Sequence, residues 1–429
     1  MKDWEEEYKK KVTSIERAIQ HIESGNRVII GHAAGDPIVL VDELVNQKDR
    51  LRNVEIVHMV PLRECKYCLP GMENHFRHNS LFAGTGTRKP IREGRADYTP
   101  IFFSEIPRLF KNNILPVDVA LIQLSTPDEN GYLSYGISVD YTMAAAESAK
   151  IVIAEVNKQM PRTRGAHIHI SQINYVIETD RKLLEIPLPK ITEIEEKIGK
   201  YIASLVPDHA NLQLGIGAIP DAVLHFLTDK KDLGIHSEMF SDGVVDLYEK
   251  GIITNKYNNL NPGKFTATFL MGTRRLYDFV DDNPNVDMQP VDYTNNVTIA
   301  GQINNLISIN SAIEVDLYGQ VCADTLGYQQ YSGVGGQVDF VRASSLSPGG
   351  KSIIAFPSTN KKKTISRIVS KLNEGASVTT SRFDVHYVVT EYGIADLRGK
   401  TVRQRAKDLI NIAHPKFRNQ LKEDLDKIF

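Results

Sequence analysis

The sequence lacks several features that define particular classes of protein. It has no apolar run of about 18 residues, the length that a transmembrane helix needs. Three cysteines in 429 residues exclude a disulfide scaffold and are typical of a reducing compartment. The formal charge is −2, from 51 Lys and Arg against 53 Asp and Glu, so the basic excess of a nucleic-acid-binding protein is missing. The first residues are acidic rather than apolar, which predicts no secretory signal. We therefore expect a cytoplasmic globular protein with no nucleic-acid or membrane partner.

Short apolar segments alternate with helix-like segments in the first part of the chain. The segments 27–31, 54–60, 117–124 and 151–156 are mostly apolar, and the charged stretch 4–22 has apolar residues at helical intervals. Strands that are apolar on both faces are typical of parallel sheets covered by crossover helices. The pattern predicts an amphipathic helix over 4–22, followed by an α/β domain.

The same pattern begins again near residue 190. An amphipathic helix is predicted over 191–205, and the segment 211–215 runs into glycine as the segment 27–31 does. A second similarity links Lys-Ile-Val-Ile-Ala at 150–154 with Lys-Ser-Ile-Ile-Ala at 351–355. These similarities predict a duplication, and chance resemblance of two α/β segments is the alternative.

The boundary between the two halves is expected where a helix cannot continue. Two prolines lie in the stretch Glu185–Pro189, and proline removes a helical hydrogen bond. We therefore predict two similar open α/β domains, residues 1–187 and residues 188–429.

A glycine turn follows the first predicted strand of the second half. In Gln213–Pro220, Gly215 and Gly217 allow backbone N–H groups to approach a ligand, and the next helix favours negative charge at its N-terminus. Pro220 stands where the dinucleotide-binding fingerprint has its third glycine, and no Gly-Lys-Ser/Thr follows. The turn is therefore either a ligand-binding loop of another kind or an ordinary connection between a strand and a helix.

Glu238 follows a short expected strand, Leu233–Ser237, and precedes an apolar helix. A carboxylate there lies at the carboxyl end of a strand, where open α/β sheets bind ligands. Its neighbours Met239 and Phe240 are apolar, so an ionised carboxylate is costly unless backbone donors compensate it. The combination favours a carboxylate nucleophile. The alternative is a helix-start acid that complements the helix dipole. Asp242 is the competing carboxylate, but its place before Gly243 fits a turn or cap role better.

Three glycines lie within the four positions Gly333–Gly336. They leave the backbone bare, as an oxyanion-binding turn requires. A flexible hairpin connection is the alternative interpretation of the same residues.

Segments spread over the whole chain match one known family in the same order. These segments are Tyr98–Pro100, Ser104–Pro107, the Gly215 turn, Ser237–Met239, Asn310–Gly319, Gly333–Gly336 and Thr390–Gly399. With them the chain resembles the acetyl-CoA hydrolase/transferase family of class I CoA-transferases. Within that family it is most similar to 4-hydroxybutyrate CoA-transferases and butyryl-CoA:acetate CoA-transferases. The resemblance implies two similar open α/β domains with the active site at their interface.

The resemblance also implies roles for individual residues. The glutamate that matches Glu238 is the family's nucleophile and becomes a glutamyl-CoA thioester. The glycine that matches Gly336 belongs to the oxyanion hole. The turn that binds CoA matches Gly215, Ile216, Gly217, Ala218 and Ile219. Further CoA contacts match Ile313 and Lys361, and candidate substrate-site residues are Gln213 and Glu391.

The reaction implied by the resemblance moves CoA between a short-chain acyl-CoA and a free carboxylate such as acetate. The acyl group would be 4-hydroxybutyryl, butyryl or acetyl, and the mechanism would be ping-pong. A thioester is exchanged for a thioester, so we expect CoA as a substrate and no bound cofactor or metal. The family also suggests a homo-oligomer, a dimer or higher. An acyl-CoA hydrolase, in which water resolves the glutamyl thioester, and an inert CoA-binding protein are the alternatives.

Cys65 and Cys68, with His75 and His78, form a separate cluster in the sequence. Two cysteines and two histidines are a ligand set for tetrahedral zinc. The two pairs lack the usual longer spacer, so we interpret the cysteines as buried or surface thiols. A metal site and redox catalysis are the alternatives.

Overall fold

The computed structural model describes residues 3–428 of the chain. The strands are, in chain order, β1 (Arg27–Ile30), β2 (Val54–His58), β3 (Phe76–Ser80), β4 (Ala96–Tyr98), β5 (Val119–Leu124), β6 (Tyr132–Ser134), β7 (Ile151–Asn157), β8 (Arg164–Gly165), β9 (His167–His169), β10 (Tyr175–Thr179), β11 (Asn211–Leu214), β12 (Gly234–Ile235), β13 (Phe265–Ala267), β14 (Val286–Met288), β15 (Leu306–Asn310), β16 (Glu314–Asp316), β17 (Val321–Cys322), β18 (Thr325–Leu326), β19 (Gln329–Gln330), β20 (Lys351–Ala355), β21 (Ile368–Val369), β22 (Tyr387–Thr390) and β23 (Gly393–Asp396).

The helices alternate with these strands. They are α1 (Asp3–Lys11), α2 (Ile15–Ile19), α3 (Ile38–Asn46), α4 (Arg88–Arg92), α5 (Ile106–Lys111), α6 (Thr142–Ser148), α7 (Glu193–Leu205), α8 (Ala218–His225), α9 (Asp242–Glu249), α10 (Arg274–Val280), α11 (Val291–Thr294), α12 (Val297–Ala300), α13 (Gln337–Leu346), α14 (Val402–Ile412) and α15 (Pro415–Ile428). Between residues 3 and 428, no helix combines the length and the apolar character that crossing a bilayer requires.

The chain forms two compact units by its internal contacts. The first unit contains Met1–Pro187 and Thr266–Thr294, and the second contains Leu188–Phe265 and Asn295–Phe429. The segment Thr266–Thr294 joins the first unit because β14 pairs with β8 and because the Thr268 carbonyl accepts from the Val139 N–H at 3.0 Å. The predicted domains 1–187 and 188–429 stay a prediction, and this returning segment is a feature that the sequence did not indicate.

The first unit is built on a seven-stranded sheet with the order β10-β7-β5-β1-β2-β3-β4. All of its strand pairs are parallel. Every residue of the interior strand β5 is buried, as expected for a strand covered on both faces. Its core includes Val28 and Ile30 of β1 and Val119 and Leu121 of β5. A fully buried aliphatic side chain of this kind contributes about 1.5–3 kcal/mol to folding.

The second unit is built on a six-stranded sheet with the order β12-β11-β15-β20-β22-β23. Its pairs are parallel except that the last strand, β23, runs antiparallel to β22. Five strands repeat the order of the first sheet, because β2-β1-β5-β7-β10 corresponds to β12-β11-β15-β20-β22. The predicted α/β class with two similar open sheets is confirmed. The pairs predicted from sequence similarity, 27–31 with 211–215 and 150–154 with 351–355, fall on corresponding strands.

The helix predicted over residues 4–22 was wrong in one respect, because it is interrupted. Helix α1 ends at Lys11, and α2 begins at Ile15. Between them Val12 forms a parallel bridge with Val176, and the Thr13 N–H donates to the Val176 carbonyl at 3.1 Å. Pairing with the edge strand β10 therefore replaces helical hydrogen bonds at β-branched residues, which favour extended backbone. Ser14 then starts the new helix, since its hydroxyl accepts from the Arg17 N–H.

Candidate active site

A glycine turn connects β11 to α8. Gly217 has φ +120°, in the left-handed region that favours glycine, and it directly precedes the first helical residue, Ala218. A Cβ atom added at Gly215 would meet no atom within 4 Å. Ile216 between them is 44% exposed. The turn therefore presents open backbone and one apolar side chain at the carboxyl end of β11.

A pocket of about 340 Å³ opens beside this turn. It lies between β11 and β15. The strand that follows β11 in the chain, β12, is on one side of this point, and β20, which follows β15 along the same sheet, is on the other. Open α/β sheets bind ligands at such a point. The residues around it come from the turn, from the ends of β15 and β20, and from α7. They are Glu195, Gly215, Ile216, Gly217, Ala218, Ile219, Pro220, Ile309, Asn310, Ser311, Ala355 and Pro357.

Gln213 lies on β11 below this pocket and is 4% exposed. Its Oε1 accepts from the Ser308 hydroxyl at 2.7 Å and from Asn310 Nδ2 at 3.0 Å. The Asn310 amide also donates to the Ser308 hydroxyl at 2.8 Å. Gln213 is thus fixed in a polar network whose outer member, Asn310, lines the pocket.

Glu238 follows β12 in a short loop that is tied to the end of β11. The Ser237 hydroxyl donates to the Leu214 carbonyl at 3.0 Å and accepts from the Leu214 N–H at 3.1 Å. Met239 forms an antiparallel bridge with the same leucine. With both neighbours held on one strand end, the half-buried Glu238 has little backbone freedom. The contacts of Ser237 and Met239 with Leu214 thus hold Glu238 at the carboxyl end of the second sheet, the position expected from the sequence.

The carboxylate of Glu238 is in contact with Asn295 and Gly336. Asn295 is fully buried, and its Nδ2 donates to Glu238 Oε2 at 2.8 Å. A Cβ atom at position 336 would collide with both Glu238 Oε2 and Asn295 Nδ2. Gly336 has φ −96°, so its backbone does not require glycine. The absence of a side chain is required by the space that the carboxylate and the amide occupy.

Asn295 is the residue of this contact that the sequence analysis missed. It stands beside Asn296, whose side chain accepts from the Thr298 and Ile299 N–H groups and caps α12. Asparagine is common at helix starts. The sequence therefore carried no signal that separates the asparagine at the carboxylate from the one that caps the helix.

Glu391 is anchored at the end of β22 by one residue of a neighbouring loop. Its Oε2 accepts from the Ser358 N–H at 2.8 Å, and its Oε1 accepts from the Ser358 hydroxyl at 2.6 Å. Ser358 directly follows Pro357, which lines the pocket. Glu391 therefore holds the loop that forms one wall of the pocket.

Ile313 and Lys361 occupy more peripheral positions than the glycine turn. The Ile313 carbonyl accepts from Arg367 Nε at 2.7 Å. Burial lowers the pKa of Arg367, and the nearby Glu391 partly offsets that effect. Lys361 is exposed in the turn of a small hairpin, which a bridge between Thr359 and Ser366 closes. Neither Ile313 nor Lys361 is among the residues that line the pocket.

The two histidines of the Cys65 cluster contact different backbone carbonyls. His75 Nδ1 lies 3.0 Å from the Leu51 carbonyl, and His78 Nδ1 lies 3.0 Å from the Ile56 carbonyl. Cys65 and Cys68 are buried free thiols. In the part of the chain that the structure describes, no group of three or more His, Cys, Asp or Glu residues is placed to hold a metal ion.

The corresponding edge of the first sheet is occupied by side chains. Asp36, which follows β1, accepts through its carbonyl from Gln123 Nε2 at 3.0 Å and from Arg181 Nη2 at 2.8 Å. Arg181 also pairs with the fully buried Glu155, with 2.5 Å between Nε and Oε1. The Asp36 carboxylate pairs with Arg63 at 3.0 Å. A polar network thus lies at the carboxyl ends of β1 and β5, the strands that correspond to β11 and β15.

Comparisons with known proteins agree with the arrangement of the second sheet. The model of the acetyl-CoA hydrolase/transferase N-terminal domain matches residues 1–187, and that of the C-terminal domain matches residues 272–425. The 4-hydroxybutyrate coenzyme A transferase of Clostridium kluyveri is 57% identical over 428 residues, which cover 100% of both chains. The butyryl-CoA:acetate CoA-transferase of Anaerostipes caccae is 40% identical over 99% of this chain and 98% of the relative.

Solved structures include the crystal structure of RipA from Yersinia pestis. It has a TM-score of 0.95 and 36% sequence identity, and the match covers 100% of this chain and 99% of that chain. The resemblance stated from the sequence is confirmed by these matches. The chain therefore belongs to the acetyl-CoA hydrolase/transferase family and is an enzyme of the CoA-transferase type.

Proposed function

We propose that the enzyme transfers CoA between a short-chain acyl-CoA and a free carboxylate such as acetate, with Glu238 as the covalent nucleophile. The observation that carries the proposal is the contact among Glu238, Asn295 and Gly336 at the carboxyl edge of the second sheet. A carboxylate held by an amide donor and pressed against bare backbone is suited to forming and breaking acyl bonds. The names of the relatives support 4-hydroxybutyrate, butyrate and acetate as the acids.

The first half of the reaction consists of two acyl transfers. The Glu238 carboxylate attacks the acyl-CoA carbonyl through Oε1, the C–S bond breaks, and an acyl-glutamyl anhydride and CoA thiolate form. The thiolate then attacks the glutamyl carbonyl carbon, and the bond from that carbon to the bridging Oε1 breaks. The first acid leaves as a carboxylate that contains Oε1, and a glutamyl-CoA thioester remains. A second carboxylate reverses these steps and leaves as its CoA thioester.

Asn295 has a defined part in this sequence. When the thiolate attacks the glutamyl carbon, negative charge develops on Oε2, the oxygen to which Asn295 Nδ2 already donates at 2.8 Å. A donor placed before the charge appears stabilises the transition state without reorganisation, and the loss of one such donor costs about 3–4 kcal/mol. Gly336 leaves room for this arrangement because any side chain there would displace Oε2 or Nδ2.

The pocket beside the Gly215 turn is the proposed CoA-binding site. Its exposed backbone and Ile216 offer contacts for the pantetheine arm, whose binding energy is then available to position the thioester. Lys361 lies in an exposed run of three lysines, which suits contact with the CoA phosphates. Glu391 would act through Ser358 by holding the loop at Pro357 in place. Gln213 would act in the same indirect way through Asn310.

Trapping of the covalent intermediate tests the proposal. The enzyme is incubated with butyryl-CoA, treated with borohydride and digested, and the peptides are analysed by mass spectrometry. We expect the glutamyl thioester at Glu238 to be reduced to the corresponding alcohol. The Glu238→Gln variant is the control and should show no modified peptide. Modification at another residue, or none in the active enzyme, would contradict the proposed nucleophile.

Steady-state kinetics separate transfer from hydrolysis. With acetate as acceptor, the proposed ping-pong mechanism gives parallel double-reciprocal lines. Thiol release that does not depend on the added acid would instead support a hydrolase, and an inert CoA-binding protein would show neither activity. The homo-oligomeric state and the cytoplasmic location stay predictions, and light scattering on the purified chain tests the first of them.

A further inference from the structure

The first unit contains a pocket of about 770 Å³ that the proposed reaction does not use. The loops after β2 and β3 form its walls, together with the start of α4. Its lining includes both thiols of Cys65 and Cys68. The lining contains four basic residues, Arg63, Arg88, Lys89 and Arg95, and one acid, Glu64. Arg63 is paired with Asp36 and Asp42, and Lys89 and Arg95 are paired with Glu93.

The backbone places the two cysteines at the ends of one tight turn. Lys66–Cys68 forms a short 3-10 helix, and the Cys68 N–H donates to the Cys65 carbonyl at 2.8 Å. A turn closed by such a bond holds its first and fourth Cα atoms within about 7 Å. A disulfide spans about 4.4–6.8 Å between Cα atoms. The turn is therefore compatible with a disulfide between residues 65 and 68.

The side chains around Cys65 favour its reactive form. The neighbouring Cys68 thiol is the largest cause that lowers the pKa of Cys65, and Tyr67 and Arg63 act in the same direction, against burial and Asp36. The Cys65 thiol and burial raise the pKa of Cys68. Thiolates stabilised by thiol donors and nearby cations are typical of reactive cysteines. Cys65 is thus the expected nucleophile and Cys68 the expected resolving thiol.

Gly86 fixes the position of the Cys65 sulfur from the other side of the pocket. A Cβ atom at position 86 would lie 3.0 Å from Cys65 Sγ and 3.2 Å from the Arg63 carbonyl. The thiol therefore packs directly against the backbone of the loop that follows β3.

We propose that Cys65 and Cys68 form a redox-active dithiol that reacts with low-molecular-weight disulfides entering this pocket. The Cys65 thiolate attacks one sulfur of the disulfide, a mixed disulfide forms, and one small thiolate leaves. Cys68 transfers its proton to that thiolate and attacks Cys65 Sγ, which releases the second small thiolate. That thiolate takes up from solvent the proton that Cys65 released when it ionised. The protein loses two hydrogen atoms, and the small disulfide gains them as two thiols.

The proposal is tested on the intact enzyme with oxidised glutathione as the probe. We expect the peptide that carries Cys65 and Cys68 to lose two hydrogen atoms in mass spectrometry and to regain them with dithiothreitol. Cys322 is the internal control, because it is not among the residues that line this pocket and its thiol lies 3.2 Å from the Thr325 carbonyl. Equal reaction of Cys322, or no change of mass in the dithiol peptide, would overturn the proposal.

Two serine variants distinguish the roles of the cysteines. Cys68→Ser should stop the reaction at the mixed disulfide and retain one glutathionyl group on Cys65. Cys65→Ser should leave Cys68 unmodified. Glutathionylation of Cys68 in that variant would contradict the assignment. Because either serine can weaken the turn, the unaltered enzyme is also treated with limiting iodoacetamide, and Cys65 should be alkylated before Cys68.

A pair of glycine variants tests the geometry without removing a thiol. Gly86→Ala places a methyl group against Cys65 Sγ, whereas a Cβ atom at Gly84 meets nothing within 4 Å. We expect Gly86→Ala to slow disulfide formation, because the methyl group displaces Cys65 Sγ from its present position. Gly84→Ala should react at the rate of the unaltered enzyme. Equal rates for the two variants would show that the packing of Cys65 does not control its reactivity.

Discussion

The two large sheets share a strand order but differ at their carboxyl edges. In the first sheet, the Asp36 carbonyl accepts from Gln123 and Arg181, and Glu155 pairs with Arg181, so that a polar network lies beside the end of β1. In the second sheet, the equivalent edge beside β11 is a pocket of about 340 Å³. Both sheets therefore have a possible ligand position at the carboxyl ends of corresponding strands. The side chains around that position determine whether it is filled or open.

The comparison is most sharply tested by removing the proposed nucleophile of the open edge. Glu238→Gln keeps the size of the side chain and the contact to Asn295 but removes the charge that attacks the thioester. We expect kcat to fall by about 10⁴-fold or more, as for other covalent nucleophiles. Glu249→Gln, at an exposed glutamate at the end of α9, is the matched control and should retain kcat within a few-fold. Substantial transfer by Glu238→Gln would place the chemistry elsewhere.

Filling the space around the carboxylate should have the next largest effect. Gly336→Ala introduces a methyl group where Glu238 Oε2 and Asn295 Nδ2 now lie. Displacement of that donor pair should lower kcat by about 10²–10³-fold. Stopped-flow or steady-state assays give kcat, and the thermal midpoint shows whether the fold is retained. An unchanged kcat in a folded variant would contradict the proposed role of the Asn295 contact.

For the polar network of the first sheet, we expect an effect on the free energy of unfolding rather than on kcat. Burial raises the pKa of Asp36 from 3.8 to about 6, although Arg63 and Arg181 lower it. The folded chain therefore holds this proton more tightly than the unfolded chain, and the associated stability is lost as the pH rises through about 6. Between pH 4 and pH 7, the unaltered protein should lose about 2 kcal/mol relative to Asp36→Asn. Urea unfolding at several pH values measures this difference.

Asp42 provides the matched control for that pH dependence. Burial raises its pKa, but hydrogen bonds from Arg63 and Lys66 outweigh burial and hold the pKa below its usual value. Relative to Asp42→Asn, the unaltered protein should therefore gain stability as the pH rises. The same sign for both variants would show that the pH effect does not come from the burial of Asp36.

The smallest expected effects distinguish the two glycines that end β1 and β11. A Cβ atom at Gly31 would lie 3.1 Å from the Gly35 carbonyl, whereas one at Gly215 would meet nothing within 4 Å. Gly31→Ala should lower the free energy of unfolding by about 1–3 kcal/mol. Gly215→Ala should change it by less than about 0.5 kcal/mol and act instead on the KM for acyl-CoA. Equal losses of stability would mean that the two edges are packed alike.

Much of the sheet framework was predictable because its strands are continuously apolar. The segments 27–31, 117–124, 151–156 and 211–215 all became strands within a few residues of the expected bounds. Helix α7 ends at the expected Leu205. The prediction of one continuous helix over 4–22 was wrong because a long-range pairing of Val12 with Val176 interrupts it. The pattern of neighbouring residues does not indicate such a distant partner.

The candidate site was predictable only in part, for a similar reason. Glu238 and the glycine turn stand out because an acid and glycines are unusual beside apolar strand ends. Asn295 is 57 residues away from Glu238 in the chain, and its contact depends on where the segment after Thr294 returns. Gly336 looks like a flexible position in sequence, but its role comes from the side chains that occupy the adjacent space.

The return of Thr266–Thr294 to the first unit limits how the enzyme can be divided into fragments. A gene fragment that begins at residue 188 would carry β14 without its partner β8, and Thr268 without Val139. A fragment that ends at residue 187 would lack the same interactions. Separate expression of the halves would expose unpaired strand edges, which promote aggregation. Reassembly by complementation therefore requires both fragments to be present while they fold.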